Sequence, residues 1–275
     1  MKDNIRIGLL GCGTIGSFVL DALVEGKIPG AQAAVVCVRS EQSKGVSHAR
    51  QLGIPVITDP TKFLDYHLDI VAENASHEAV IQYGEMLLKA GIHLIPMSLG
   101  ALVDGDLLHR LIQTAQQAGS QLVIPSGGIG GLDAIQGAMV SGIDQVTMIT
   151  RKPPVAWKGI PYVQEMGWDL DHMEQPTLLF DGPARDCVRK FPQNINIAAA
   201  LSLASLGFDR TMIQIYADPT VSLNTHQIVC RGPNGRMSFL FENTPVAANP
   251  KTTYQACTSV VATLRRLTQS YRIGT

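Results

Sequence analysis

The feature that most constrains this 275-residue chain is a glycine turn close to its N terminus. The stretch IRIGLLGCGTIGSFV places an apolar strand before Gly11, Gly13 and Gly16, which have the spacing GxGxxG. In a strand–turn–helix unit the first glycine allows the tight turn, the second leaves room for a pyrophosphate, and the third lets the helix pack on the sheet. The helix start, here Thr14 and Ile15, then offers N–H groups to the anion. The turn predicts dinucleotide binding; the alternative is a glycine turn without a ligand.

Short apolar runs alternate with amphipathic stretches through the rest of the first half. This alternation predicts a parallel sheet with helices on both faces. The chain is 45% hydrophobic and 16% charged, which is enough apolar material for a sizeable core. The strand patterns lie at 5–10, 33–38, 55–57, 69–74, 93–96 and 121–125, and the helical patterns begin near Ile15, Glu41, His77 and Asp104.

The pattern changes after Gly131. Strand patterns at 145–150, 210–217, 222–230 and 236–243 follow one another with short turns, so we expect an antiparallel or mixed sheet with helices at 131–142 and 194–207. Asn249 and Pro250 are typical of a helix start, which predicts a last helix that returns to the first domain. We therefore expect a dinucleotide-binding domain at 1–126, joined by 245–275, and a domain for substrate binding and dimerisation at 127–244.

The end of the second predicted strand bears on the choice of cofactor. Many dinucleotide-binding folds have an acidic residue there that holds a ribose hydroxyl, but this chain has Arg39 and Ser40. Arg39 can pair with a 2′-phosphate and Ser40 can add a hydroxyl, which favours NADP or the use of both cofactors. The alternative is that Arg39 is a solvated surface residue and that NAD binds through the backbone and Ser40.

Three further loops follow strands at the same edge of the predicted sheet, where ligands of such sheets bind. They are ENASH (73–77), which contains Ala75 and Ser76, MSLGAL (97–102) and PSGGIGGLDA (125–134). Each alone is an ordinary loop. Three loops of small residues at one edge predict a cofactor cleft.

Charge and cysteine content exclude several classes of function. The net charge is −1 and no basic stripe occurs, so we expect no nucleic-acid partner. No stretch reaches the roughly 18 unbroken apolar residues of a membrane span. The five cysteines are scattered, which argues against a disulfide framework and against a zinc site and favours a cytoplasmic location.

Several segments along nearly the whole chain together resemble the L-aspartate dehydrogenase family. They are PSGGIGGLDA, RKPPVAW (151–157), FPQNINIAAALSLA (191–204), ADPTVSLNTH (217–226) and ENTPVAANPKTTYQA (242–256). The resemblance implies a Rossmann domain, a second α+β domain with a mixed sheet, and a homodimer. It implies oxidation of L-aspartate with NAD or NADP to iminoaspartate, which hydrolyses to oxaloacetate and ammonia and can feed NAD biosynthesis.

The same resemblance places the catalytic histidine at His226 and cofactor contacts at Asn196 and Gly128. Gly128 departs from the family, which has alanine in this loop, so we expect cofactor binding to survive with a more flexible loop. Without the family, His226 is already a candidate, because an imidazole suits proton transfer and this one interrupts a strand of the second domain. The rival interpretation is a hydrogen-bonded histidine within the sheet.

The groups that hold the substrate carboxylates are open. The candidates are basic residues outside the first domain, for each of which a solvated surface position is the alternative: Arg151, Lys152, Arg185, Lys190 and Lys251. Two other functions also remain: a Rossmann enzyme of the homoserine dehydrogenase or dihydrodipicolinate reductase type, and a dinucleotide-binding sensor without catalysis.

Overall fold

The computed structural model describes residues 4–191 and 196–274. The chain divides into two compact units, one comprising Met1–Pro125 with Ala256–Ile273, and the other Ser126–Gln255 with the last two residues. Within the described residues, no helix is long and apolar enough to cross a membrane.

The first unit is built on a five-stranded parallel sheet of order β3-β2-β1-β4-β5. This order is that of a Rossmann-type sheet, with β1 in the centre. Its elements are β1 (Ile5–Leu10), α1 (Thr14–Val24), β2 (Ala31–Cys37), α2 (Gly45–Gln51), β3 (Val56–Ile57), β4 (Ile70–Glu73), α3 (His77–Lys89), β5 (His93–Pro96) and α4 (Gly105–Ala118).

The core of the first unit follows from its burial pattern. The strands β1, β2 and β4 are buried on both faces, as expected of central parallel strands covered by helices. Leu9, Val19 and Val36 are fully buried in one cluster. Val260 and Leu264 of the last helix join the same cluster, so this helix packs on the first unit.

The sixth predicted strand, 121–125, does not form. Leu122 makes only an isolated parallel bridge to Leu94, with hydrogen bonds from Leu94 N to Gln121 O (2.9 Å) and from Val123 N to Leu94 O (2.8 Å). Pro125, which lacks an N–H, and the glycine-rich loop after it end the pairing.

The second unit contains a five-stranded sheet of order β10-β9-β6-β8-β7. Only β6 and β8 run parallel, so the sheet is mixed and the predicted fold class is confirmed. Its elements are α5 (Leu132–Met139), β6 (Gln145–Lys152), α6 (Pro161–Glu165), β7 (Thr177–Pro183), α7 (Ala184–Lys190), α8 (Asn196–Ala204), β8 (Thr211–Ala217), β9 (Asn224–Gly232), β10 (Gly235–Asn243), β11 (Pro245–Val246), β12 (Asn249–Thr253) and α9 (Tyr254–Thr268).

The prediction that Asn249 and Pro250 begin the last helix is wrong. These residues belong to β12, which pairs with β11 in a small antiparallel ribbon, and α9 begins at Tyr254. The Asn249 side chain does accept a hydrogen bond from the N–H of Lys251 (3.3 Å), but this local turn lies inside the ribbon rather than at a helix start. Short polar side chains stabilise both kinds of turn, and the sequence does not separate them.

Candidate functional site

The glycine turn has the geometry that its spacing predicts. Gly11 has φ +96°, and a Cβ there would lie 2.8 Å from the backbone of Asn74. A Cβ on Gly16 would overlap the carbonyl oxygen of Gly11, so α1 packs against the turn as closely as its backbone allows. By contrast, a Cβ on Gly13 would meet no atom within 4 Å, and Gly13 caps α1 without a side-chain hydrogen bond. The space above Gly13 and the N terminus of α1 therefore fit an anionic group.

A cavity of about 780 Å³ lies at this turn and is lined only by residues of the first unit. Five predicted cofactor residues line it: Gly11, Gly13, Arg39, Ala75 and Ser76. The others do not; Thr14, Ile15 and Gly16 form the first turn of α1, and Ser40 lies beside Arg39.

One orphaned polar atom supports a ligand in this cavity. The side-chain oxygen of Asn74 is buried and has no hydrogen-bond partner within the described part of the chain, and Asn74 lines the cavity. Buried acceptors are normally satisfied, so this oxygen fits a donor from a bound molecule such as a ribose hydroxyl.

The end of β2 carries positive charge. Arg39 is exposed and lines the cavity, together with Ser43 and Lys44, which the sequence analysis missed. Ser40 and Ser43 form a turn in which Ser40 N donates to Ser43 Oγ (3.3 Å). Two cations and the Ser43 hydroxyl at this end of the cavity suit a phosphate.

Glu73 organises the loop that follows β4. Its carboxylate is fully buried and accepts four hydrogen bonds, from Ala75 N (2.7 Å), Ser76 N (2.9 Å), Ser98 N (3.0 Å) and Ser98 Oγ (2.9 Å). Burial raises the pKa of Glu73, and these donors oppose the rise. Glu73 thereby ties the loop after β4, which lines the cavity, to the loop after β5.

In the second unit His226 lies in β9, directly opposite Thr150 of β6. Thr150 Oγ1 and His226 Nδ1 are 3.1 Å apart and hydrogen-bonded, and His226 is only 3% exposed. Burial, with a smaller contribution from the charge of Lys152, lowers the pKa of His226 to about 3. His226 is therefore a neutral imidazole near neutral pH.

Lys152 is the buried one of the five basic residues that are candidates for holding the substrate carboxylates, with 9% of its surface exposed. Its ammonium lies 5.2 Å from the centre of the Trp157 ring, and burial lowers its pKa to about 8. Arg151 pairs instead with Asp218 (3.1 Å) and Arg185 with Asp209, while Lys190 lies 4.5 Å from the Tyr162 ring centre and Lys251 is exposed.

The loop at 126–131 lies over the sheet face that carries His226. Its Gly128 carbonyl accepts a 2.6 Å hydrogen bond from the Asn243 side chain, and a Cβ on Gly130 would lie 3.3 Å from the ring of Phe241. Phe241 is the β10 partner of His226. The hydrogen bond anchors the loop at the very position where we expected added flexibility.

Asn196 is the first residue of α8 and is half-buried. A Cβ on Gly128 would lie 3.4 Å from the side chain of the next residue, Ile197, so the glycine loop adjoins the start of α8. Asn194, the first asparagine of the N-x-N segment, lies outside the described residues.

Three of the other histidines have hydrogen-bond partners. His48 bonds to Asp21 (2.7 Å) and the exposed His172 to Asp169 (2.7 Å). His93 Nδ1 accepts a hydrogen bond from Gln121 N (3.0 Å), and His77 begins α3. Within residues 4–191 and 196–274, no group of three or more His, Cys, Asp or Glu side chains is arranged to hold a metal.

The parallel sheet, the glycine turn and the cavity define a Rossmann-type dinucleotide-binding protein with a second α+β unit. Two family models match the chain: residues 11–125 match "Homoserine dehydrogenase, NAD binding domain" and residues 133–267 match "Aspartate dehydrogenase, C-terminal". The prediction of NAD or NADP as the cofactor is confirmed.

Relatives identify the family. An L-aspartate dehydrogenase of Methanosarcina mazei is 39% identical over 98% of this chain and 100% of its own, and L-aspartate dehydrogenase 3 of Bordetella bronchiseptica is 35% identical over 100% and 99%. The crystal structure of aspartate dehydrogenase from Thermotoga maritima has the same fold, with a TM-score of 0.74 and 24% identity over 98% of this chain and 99% of that one. The chain belongs to the L-aspartate dehydrogenase family, which confirms the resemblance.

Proposed function

We propose that this protein catalyses the NAD(P)-dependent oxidation of L-aspartate to iminoaspartate, which hydrolyses to oxaloacetate and ammonia. The observation that carries the proposal is the pair formed by a buried neutral imidazole, His226, and a buried lysine, Lys152, in a chain related over its full length to L-aspartate dehydrogenases. A nicotinamide dinucleotide, when bound, supplies the acceptor for the hydride of the substrate α-carbon.

The residues of the first unit supply the binding site of the dinucleotide. With a dinucleotide bound, Gly13 and the start of α1 would hold the pyrophosphate, and the backbone at Ala75 and Ser76, fixed by Glu73, would line another part of the same cavity. In the second unit, Gly128 and Asn196 are the further cofactor contacts that we propose.

His226 acts as the general base in this proposal. A base must remove a proton from the substrate ammonium or from the water that attacks the imine. The imidazole is neutral at working pH, so a ring nitrogen is open to that proton, and the pKa of His226 must rise from about 3 on substrate binding for the transfer to be efficient. A base at Nε2 requires the proton on Nδ1; in that tautomer Nδ1–H donates to Thr150 Oγ1, and this contact fixes the ring orientation.

The test is a spectrophotometric assay for reduced nicotinamide with L-aspartate, with L-homoserine as the competing substrate. We expect signal with L-aspartate only. His226→Ala should lower kcat by roughly 10²–10⁴ and still bind NADPH. His172→Ala is the matched control, because His172 is exposed and lies in the same unit. Near-normal turnover of His226→Ala would remove this residue from the mechanism, and tight NADPH binding without turnover of any amino acid would favour the sensor.

We further propose that the chain accepts NADP through Arg39, with Lys44 as a second cation. Arg39→Ala should raise the KM for NADP by roughly 10- to 100-fold and leave the KM for NAD nearly unchanged, since one charged hydrogen bond contributes about 1.5–3 kcal/mol. Arg50→Ala is the control, because Arg50 pairs with Glu41 on the same surface. An unchanged ratio of the two Michaelis constants would contradict this assignment.

Assembly and location complete the proposal. We propose that 1–126 with 245–275 bind the dinucleotide, that 127–244 bind the substrate and form a homodimer, and that the enzyme is cytoplasmic and contributes to NAD biosynthesis. The full-length similarity to L-aspartate dehydrogenases supports the domain roles. Sedimentation equilibrium of the full chain tests the dimer.

A further inference from the structure

We propose that Lys152 is the residue that binds a carboxylate of the dicarboxylic substrate beside His226. This inference rests on the proposed function and deepens it, because it names the group that selects an acidic amino acid.

Lys152 lies on the same face of the sheet as the Thr150–His226 pair. Buried and partly exposed residues alternate along β6, so Thr150 and Lys152 point to the same face of the sheet. Thr150 is bonded to His226 on the neighbouring strand, and Lys152 lies two residues further, about 7 Å along β6. A substrate that presents its amine to the imidazole therefore has a cation within the length of a small amino acid.

Lys152 is held in place by its neighbours. The Lys152 carbonyl accepts a 2.9 Å hydrogen bond from Asp218 N, and Pro153 and Pro154 stiffen the chain that follows. The ring of Trp157 lies beside the ammonium, and the Trp157 indole N–H is itself bonded to Tyr216 O (3.2 Å). A cation on a fixed stem loses little side-chain entropy when it binds an anion.

Lys152 and His226 also interact through charge. The positive charge of Lys152 adds to the larger effect of burial in disfavouring protonation of His226. A carboxylate bound to Lys152 offsets the contribution of the lysine, so substrate binding raises the pKa of His226. Arg151 does not contribute in the same way, because it points to the other face and pairs with Asp218.

A competing role for Lys152 is that of the proton carrier itself. Arginine separates the two roles, since it binds carboxylates but does not release its proton. Under our proposal Lys152→Met loses substrate affinity, whereas Lys152→Arg keeps most of it. If Lys152 carries the proton, both variants lose kcat with unchanged affinity.

The experiment measures the KM for L-aspartate and the inhibition constant of succinate, a dicarboxylate without an amine, in wild type, Lys152→Met and Lys152→Arg. Both constants should rise about 10- to 100-fold in Lys152→Met and lie within tenfold of the wild-type values in Lys152→Arg. Neither substitution should change the Kd for NADPH. Lys158→Met is the matched control, because Lys158 is an exposed lysine of the same unit that pairs with Asp171. Unchanged constants in a folded Lys152→Met, or loss of kcat alone in both variants, would overturn the proposal.

A measurement on the unmodified protein covers the case in which the variants do not fold. In protein whose lysines carry ¹³C at Cε, an NMR pH titration reports the pKa of each lysine. Succinate should raise the pKa of one buried lysine, and a lysine signal set that does not respond to succinate overturns the proposal. Direct binding of succinate, followed by calorimetry with NADP present, does not need turnover. It therefore separates the two proposals. If succinate binds through Lys152 but L-aspartate is not oxidised, only the proposed function is rejected. If L-aspartate is oxidised and its KM is unchanged in Lys152→Met, only this inference is rejected.

Discussion

The buried carboxylate of Glu73 makes a sharp prediction for the substitution Glu73→Gln. The glutamate accepts four hydrogen bonds and lies at the junction of the loops that follow β4 and β5. The amide of glutamine keeps one acceptor oxygen and replaces the other by a donor. Its best orientation preserves the three bonds to Oε1 and turns the NH₂ group toward Ser98 N, where two donors face each other.

The magnitude follows from these contacts. One hydrogen bond to a charged group is lost, which costs about 1.5–3 kcal/mol, and a buried N–H is left without an acceptor, which costs about 1–3 kcal/mol. Removal of the buried charge offsets part of this, since desolvation is the largest influence on the pKa of Glu73. We expect a net loss of roughly 2–4 kcal/mol in the free energy of unfolding. Ala75 and Ser76 line the cavity, so the Kd for NADP should also rise by about tenfold.

Urea unfolding and NADP titration of the folded protein measure the two effects. Glu85→Gln is the matched control, because Glu85 is an exposed glutamate of α3. Its Oε2 lies 4.0 Å from Nε of Arg110. Glu85→Gln should change the free energy of unfolding by less than about 0.5 kcal/mol. If Glu73→Gln is as stable as the wild type and binds NADP equally well, the four hydrogen bonds do not organise the cleft. If Glu73→Gln is more stable than the wild type, the desolvation cost of the carboxylate is larger than the stabilisation from its hydrogen bonds, and the predicted direction of the stability change is wrong.

Three further substitutions test other parts of the structure. Gly16→Ala should destabilise the fold by about 1–3 kcal/mol in urea unfolding, because its Cβ overlaps the Gly11 carbonyl. Gly13→Ala should cost less than about 1 kcal/mol of stability, the cost of a poorer helix cap, because its Cβ meets no atom within 4 Å, and it should weaken NADPH binding measured by titration. Equal effects of the two substitutions would contradict the assigned roles. The pKa of His226 is about 3 in the folded protein and about 6.5 when unfolded, so the unfolded state binds the extra proton and stability falls as the pH drops below 6.5. Between pH 7.5 and pH 5 the free energy of unfolding of His226→Gln should therefore fall by about 2 kcal/mol less than that of the wild type, measured by urea unfolding at both pH values. Equal losses in the two proteins would show that the imidazole is not buried in its neutral form.

Much of the first unit could be predicted from the sequence because its signals are local. The glycine spacing after an apolar strand predicts the turn at Gly11, and buried parallel strands appear as apolar runs such as β2 and β4. The strand predicted at 121–125 was wrong, since an apolar run specifies burial and not the number of hydrogen bonds that a strand makes. The same limit applies at Asn249, whose side chain stabilises a turn of either kind.

The contacts of Glu73 and Lys152 could not be predicted, because they join residues distant in the sequence. Ser98 is 25 positions from Glu73, and nothing in ENASH or MSLGAL indicates that one carboxylate ties both loops. The alternation in QVTMITRK does place Thr150 and Lys152 on one face, and this signal was available. Its meaning depended on the pairing of Thr150 with His226, which is 76 positions away.

Burial disfavours the charged form of both ionisable groups, but their surroundings differ. Glu73 is surrounded by N–H and O–H donors that oppose the effect of burial, and its role is to hold two loops together. At His226 burial is the larger influence and the charge of Lys152 adds to it, so a bound anion would offset only the part that comes from Lys152. Burial of a lysine costs desolvation free energy that an apolar residue would not, so the position of Lys152 beside a neutral base favours a role in binding over a role in stability alone. A negatively charged ligand would be attracted by the charge of Lys152, and this is the physical reason to expect an acidic amino acid rather than a neutral one at this site.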